Sequence, residues 1–506
     1  MKFFPRYHHV ALSLVVAGCL ILGIGCASTP APTPAPAAGQ QPGMAEEKLD
    51  AASKPMESAP ATSMVSSQPA ETPVPTDPAH VFTLDECIKL TLERNPSYDS
   101  SEQDIKSAEY TKWKAVTGFL PTLGADYSYT RLDETPTTTT ALGEVIMSTP
   151  HVITGRKVEV GSRDNWQFNL TVTQPIFTGF NLISQYRLAK LGLNVAEIQR
   201  ERARQQLILQ VKQAYFSILQ AEKALEVAQQ SVALNEEQVK NARSFFEVGM
   251  VPKNDVLQAE VQLAQSIQDR IVAENNLSLA KSQLNNLLRR PLDSPMAVKD
   301  VQCPRSFDKK LQEMIDIAME KRPEVQAAKR QVEMGEQGVR VAQSGYYPQV
   351  AVKYTYTREG DEASVNGYTS STGSTSDPDS WSVTAIASWN FWEWGRTHSD
   401  VQISKVDLKK ANNALTEVQD GVKLEVQQAF LQLQAASKNI VVAEKAVEQA
   451  EENYRMSEER YREQVATSLE VRDAETLLTK ARTNYYNTLY AFCLSYASLQ
   501  RAIGME

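Results

Sequence analysis

Two hydrophobic periods take turns along this chain. Leu123, Ala125, Tyr127 and Tyr129 are separated by small or polar residues, and so are Val350, Val352, Tyr354 and Tyr356. The same two-residue period returns in Trp166, Phe168, Leu170 and Val172 and in Trp381, Val383, Ala385 and Ala387. Alternation of this kind predicts strands with one apolar face. The second strand of each pair runs into a turn-like segment, 174–179 or 389–395, the latter with Trp389, Trp392 and Trp394, which suit an interface girdle or a strand-to-helix junction. Between the paired strands lie stretches rich in Thr, Ser and Gly, 136–163 and 359–380, which read as solvent-facing loops.

The second period is helical. Leu207, Val211, Ala214, Ile218, Ala221, Leu225, Ala228 and Val232 follow a four-three spacing within a proline-free run, 182–246, and Val422, Val426, Ala429, Leu433, Ala436, Ile440, Ala443 and Val447 repeat it. A 3.5-residue seam predicts left-handed coiled-coil packing. At 1.5 Å per residue such a helix is ~95 to 100 Å long, too long for a globular core. Each run meets a break, 248–252 or 464–467, and returns as a helix about half as long ending near Leu288 or Ile503. Shorter helices expected at 97–118 and 324–345 could complete the missing half by stacking end to end.

These parallels are one duplication. Trp166 and Trp381, Phe177 and Trp392, Ala259-Glu260 and Ala474-Glu475, and Leu284 and Leu499 are each 215 residues apart. Upstream the spacing is 227, as in Asn95-Pro96 against Arg322-Pro323 and Leu120-Pro121 against Tyr347-Pro348. The 12-residue difference falls between Pro121 and Trp166 and marks a loop. Two repeats, 81–300 and 301–506, are expected to form one domain.

The amino end is different. Lys2 and Arg6 precede an uncharged apolar run, 10–24, too short to span a bilayer but suited to the core of a secretory signal, expected over 1–25. Cys19 and Cys26 both lie in lipobox-like surroundings. Cys26 is favoured for lipid (palmitate-type) attachment because the polar Ala27-Ser28-Thr29-Pro30 follows it, whereas Cys19 would leave Leu20-Ile21-Leu22 at the mature end. The segment 26–80 is rich in Ala, Pro, Ser and Thr and reads as a flexible tether. A net charge of −9 leaves no basic footprint for nucleic acid, and a mean hydropathy of −0.36 with 22% charged residues excludes a polytopic helical membrane protein. Cys87, Cys303 and Cys493 read as buried or incidental thiols. No phosphate loop, nucleophile motif or metal-ligand spacing is present, so neither enzyme chemistry nor a cofactor is expected.

Four strands cannot close a barrel, and an open sheet edge is not tolerated in hydrocarbon. Three copies would supply twelve strands and twelve helical columns, a strand barrel continued by a helical cylinder. The alternative, a periplasmic coiled-coil lipoprotein acting as a spacer, has no use for duplicated alternating hairpins with Trp ends.

In these features the chain resembles the TolC-type outer membrane efflux proteins, and with its lipobox their lipid-anchored branch. The resemblance spans about residues 81–504 and is carried by Asn95-Pro96, Phe119-Leu120-Pro121, Pro175-Ile176-Phe177-Thr178-Gly179 and the helix-turn element Phe246-Glu247-Val248-Gly249-Met250 followed by Asp255-Val256-Leu257-Gln258-Ala259. It implies a mainly α fold with four strands per chain. It also implies a homotrimeric, outer-membrane exit duct whose periplasmic tips dock onto an adaptor (membrane fusion) protein bound to an inner-membrane pump. The adaptor-contact tips would be Val248, Gly249, Met250 and Val251 in the first repeat and Gln464, Val465 and Ala466 in the second, where Gln464 departs from the family's turn glycine. The resemblance further implies a periplasmic gate of Glu470 and Asp473, latched by Tyr461 facing Asp255, with Ala466 in place of the family's basic latch residue. Three copies of each acid around one axis would repel anions and favour cations.

Overall fold

The computed structural model describes residues 80–140, 156–301, 303, 310–369 and 376–505. The expected signal, Cys26 as the expected site of lipid attachment and nearly all of the expected tether lie outside the described residues.

Each repeat opens with a short amphipathic helix outside the helices expected from the sequence: α1 (Leu84–Arg94) and α5 (Leu311–Lys321). Thr83 caps α1 in a box with Glu86, and Cys87 and Thr91 face inward. Strand β1 (Val81–Phe82) ahead of it pairs in parallel with β6 (Ala297–Val298). Then come α2 (Pro96–Thr117) and α6 (Pro323–Gln343), both begun by proline, whose fixed φ and missing N–H suit the first helical position.

The four-stranded sheet holds β2 (Thr122–Arg131), β5 (Asp164–Thr178), β7 (Gln349–Gly360) and β8 (Asp379–Ser388), antiparallel in the order β2-β5-β7-β8. The expected hairpins are thus present, joined through β5 and β7. Part of the stretch expected as irregular loop, 136–163, is instead a small hairpin of β3 (Thr137–Thr140) and β4 (Arg156–Glu159), because its Thr-rich run has β-branched side chains that favour extended backbone. A bulge between Pro175 and Phe177 places the proline where its missing donor does least harm. The register of each hairpin is pinned at its outer end by the same trio. Tyr129 donates to Asp164 at 2.7 Å with Arg131 3.5 Å away, and Tyr356 donates to Asp379 at 2.9 Å with Arg358 3.5 Å away. Members of these trios are related by the duplication.

The long helices are α3 (Asn181–Glu247) and α7 (Arg396–Arg462), 67 residues each, and the returning helices are α4 (Lys253–Leu287) and α8 (Ser468–Ala502), 35 residues each. At 1.5 Å per residue the long pair spans ~100 Å. Their seam is buried as expected: Leu207, Val211, Ile218 and Val232 in α3, and Val422, Val426, Ala429, Leu433, Ile440 and Ala443 in α7. Toward the strands α3 packs between α2 and α6, and α6 packs on α7; toward the tips α3 packs between α4 and α8, and α8 packs on α7. Both tiers follow the side-by-side order of the strands that feed them. Among the described residues no helix is long and apolar enough to cross a membrane.

The tiers meet at two cores. In the first repeat Phe82, Cys87, Val211, Tyr215, Leu284 and Leu288 pack together. In the second, Met314, Val325, Val426, Leu499 and Ile503 do so. One expectation is corrected here: Cys303 and Cys493 are not thiols but a disulfide, Cα–Cα 5.5 Å, tying the segment between repeats to α8. Cys87 is a free, buried thiol, pushed up to about 12 by desolvation, with Glu86 adding to the effect.

Candidate functional site: the helical tips

Both tips are built by the same backbone. Gly249 (φ +78°) and Gln464 (φ +63°), related by the duplication, each adopt the left-handed conformation that ends a helix. Amides close the turns in parallel. Gly249 N–H donates to Phe246 O and Met250 N–H to Phe245 O; Gln464 N–H donates to Tyr461 O and Val465 N–H to Arg460 O. Gln464 therefore performs glycine's turn role despite its side chain, at a cost of about 1 to 2 kcal/mol. That side chain is also used: its Nε2 donates to Met250 Sδ at 2.9 Å, joining the two tips. Val248 (67% exposed), Met250 and Val465 (70% exposed) present apolar surface at the tip ends, and Val251 is half-buried. Ala466 lies in the turn, its N–H donating to Arg460 O.

Glu470 sits in the first turn of α8, where its side chain accepts from the Thr467 N–H and its own N–H donates to Thr467 Oγ1. Arg460 approaches it at 3.4 Å. The residue thus starts the helix as well as carrying charge. Asp473 is exposed. Tyr461 is buried (9% exposed) edge-on to Phe245, and its hydroxyl has no hydrogen-bond partner among the described residues. Burial, with the Asp255 charge second, holds its phenol above the usual range. Asp255 itself lines a cleft of about 20 Å³, enough for one water, that also takes in Asn235, Gln238, Ser468 and Arg472. Tyr461 and Asp255 are neighbours electrostatically but are not hydrogen-bonded to each other.

The links between the hairpins here are made by residues outside the expected latch. Arg462 reaches Glu237 at 3.3 Å, and Arg482 reaches Gln230 and Glu451. Glu475, 2% exposed, accepts from Ser231 Oγ at 2.6 Å and Thr479 Oγ1 at 3.1 Å. Its duplicate, Glu260, instead meets Arg243 on the surface. A sequence signal for Glu470 did exist in the Thr-x-x-Glu spacing of a capping box. None marked Glu475, which reads like any other acid in an Ala/Glu/Gln-rich coil.

At the strand-to-helix junction, Trp389, Phe391, Trp392 and Trp394 are exposed between the end of β8 and the start of α7, the location the sequence suggested.

Comparison with known proteins gives this geometry its family. A family model described as outer membrane efflux protein matches residues 87–288 and 314–505, one span per repeat. The chain is 24% identical over 311 residues to the outer membrane protein TolC of Vibrio cholerae, covering 61% of this chain and 70% of that protein. It is 22% identical over 342 residues to TolC of Escherichia coli, covering 66% and 69%. Among solved structures, the Campylobacter jejuni CmeC outer membrane channel superposes with a TM-score of 0.68 at 16% identity, covering 83% of this chain and 85% of that one. VceC of Vibrio cholerae superposes with 0.66 at 18%, covering 84% and 97%. With both repeats matched and the strand and helix tiers in the order that fold requires, the chain belongs to the outer membrane efflux protein family and is an outer membrane export channel with a periplasmic helical part.

Proposed function

We propose that three copies close into one passive pipe, the exit duct of a tripartite machine. The observation that carries this is the pair of unlike edges. In both helical tiers and in the sheet the chain is one layer four elements wide, bounded by β2, α2 and α4 on one side and by β8 and α7 on the other. Each of β2 and β8 pairs on one side only among the described residues, and an unpaired strand edge in lipid costs several kcal/mol per group. Unlike edges join head to tail, and a head-to-tail contact that closes makes a ring. Three copies give twelve strands.

The tips at Val248 to Val251 and Gln464 to Ala466 carry exposed apolar side chains suited to an adaptor protein, and the adaptor in turn would connect to an energised inner-membrane pump. Cys26 would anchor the amino end in the outer membrane. Glu470 and Asp473 would ring the periplasmic entrance, with Tyr461 and Asp255 beside them, and cargo would pass without catalysis or cofactor. A spacer lipoprotein is disfavoured by the sheet, whose apolar face a spacer would leave without a role.

Planar-bilayer recording tests this reading. Glu470→Gln with Asp473→Asn removes both charges while glutamine keeps the capping box, so a larger and less cation-selective conductance reports the gate rather than a frayed helix. Unchanged selectivity would reject the gate assignment; silence from the parent protein would reject the channel.

A further inference from the structure

Alternation sorts the strand residues onto two faces. The face carrying Trp166, Leu170, Tyr354 and Trp381 is apolar and suits lipid, so the opposite face lines the lumen. On that polar face charge is scarce: apart from Glu359 at the outer end of β7, Asp126 of β2 and Lys353 of β7 are its charged residues in the four strands. The two are 227 residues apart, so one position of the duplicated unit is an acid in the first repeat and a base in the second.

Their heights in the wall agree as well. Asp126 registers with Asn169 and Asn169 with Thr357, four residues along β7 from Lys353. In strands tilted by ~40–45°, rising ~3.3 Å per residue and lying ~4.8 Å apart, that offset across two strands is compensated to within ~4 Å of height. The carboxylate is held in place. Asn169 Nδ2 donates to Asp126 at 2.8 Å, and Asn169 Oδ1 accepts from Thr357 Oγ1 at 2.8 Å.

Resting on the three-copy barrel above, we propose that Asp126 and Lys353 form a charge-alternating girdle inside the strand barrel and set its ion preference. Three carboxylates and three ammonium groups would alternate around the wall, each two strands and four residues of offset from the next, ~16 Å along the wall. The ring is neutral as a whole, so the barrel excludes ions of neither sign, in contrast to the acids at the tips. Removing either partner leaves three like charges around a lumen, where they act together on passing ions.

The test reads the potential at the wall and does not depend on how open the tips are. Lys353→Cys is reconstituted into liposomes, and its rates of reaction with a cationic and an anionic methanethiosulfonate reagent are compared. Among the described cysteines, Cys303 and Cys493 are bonded to each other and Cys87 is buried, so the new thiol dominates. The cationic reagent is expected to be favoured, and adding Asp126→Asn should lower the ratio about 1.4-fold at ~0.1 M salt and about threefold at ~0.01 M. Reversal potentials should agree: Lys353→Met shifts preference toward cations, Asp126→Asn toward anions, and the double variant returns to the parent. A thiol at position 353 that stays unreactive in a conducting trimer, or a ratio indifferent to Asp126, overturns the girdle while leaving the channel intact. A chain that does not trimerise overturns both.

Discussion

The two repeats share one backbone plan but join their tiers with different chemistry. In the second repeat, where the end of α8 meets the start of α6, the join is ionic. Arg322, its side chain 3% exposed, contacts Glu324 at 3.0 Å and Glu425 at 2.6 Å and donates to Arg501 O; Arg501 contacts Glu425 at 2.6 Å and Glu324 at 3.3 Å. At the duplicated positions the first repeat has Asn95, Ser97, Gln210 and Asn286, all neutral. Its join relies on the Tyr215 hydroxyl, whose proton is shared between Lys299 O at 2.6 Å and Phe82 O at 3.0 Å, and on Arg290 stacked 4.9 Å from the Phe82 ring. The same mechanical task is met once by matched charge and once by aromatic packing. A buried ion network tolerates few arrangements, since any unpaired member is costly, whereas the apolar join is less demanding about partners.

That difference yields graded predictions. Arg322→Ala removes two charge-assisted contacts while Arg501 still pairs Glu324 and Glu425, and should cost about 3 kcal/mol. Its counterpart Asn95→Ala removes only a cap to the Ser97 N–H and should cost about 1 kcal/mol; thermal melts of the two variants compare the joins directly, and equal losses would erase the distinction. Next, removing the disulfide with Cys303→Ser and Cys493→Ser should destabilise by about 2–4 kcal/mol, read as a lower melting temperature that a reductant does not lower further.

Tyr215 makes the first join sensitive to alkali. Burial, its first cause, and the neighbouring Cys87 push its phenol up to about 12. An acid whose folded pKa is raised contributes stability that is whole below the unfolded value, ~10, and is lost as pH rises from there toward 12. Melting temperature should therefore fall over that window in the parent, and less steeply in Tyr215→Phe.

The smallest effect lies at the tips. Gln464→Gly should relieve strain and stabilise by about 1 kcal/mol, while Gly249→Ala, with open space around its Cβ, should cost about 1 kcal/mol through φ alone. A denaturant midpoint that moves the same way in both variants would break the equivalence of the turns.

Much of this plan was legible in the chain. The seam positions, the four strands, the paired breaks and the two long helices followed from period and duplication, and observed helix ends fall within two residues of expectation at Asn181 and Glu247. Backbone is inherited more strictly than composition. Left-handed residues recur in register at Gly179 and Trp394, Phe180 and Gly395, Gly249 and Gln464, and Arg289 and Gly504, with glycine in only one member of each pair. Looking for glycine alone would find half of them. The disulfide was not legible, because Cys303 lies in the segment between the repeats, outside the duplicated positions quoted above, and its partner is 190 residues away. Nor was the burial of Glu475, which depends on Ser231 across a helix pair. The short helix α1 could have been found from Thr83 and Glu86, whose spacing is that of a capping box.

Closure of several chains around a lumen is the claim on which the duct rests, and the mass of the purified protein in detergent, taken together with cryo-electron microscopy of the same sample, tests it most directly. Three chains enclosing an axial cavity, with β8 of one protomer against β2 of the next, is the expected result. A single chain, or a rod without a lumen, would contradict it.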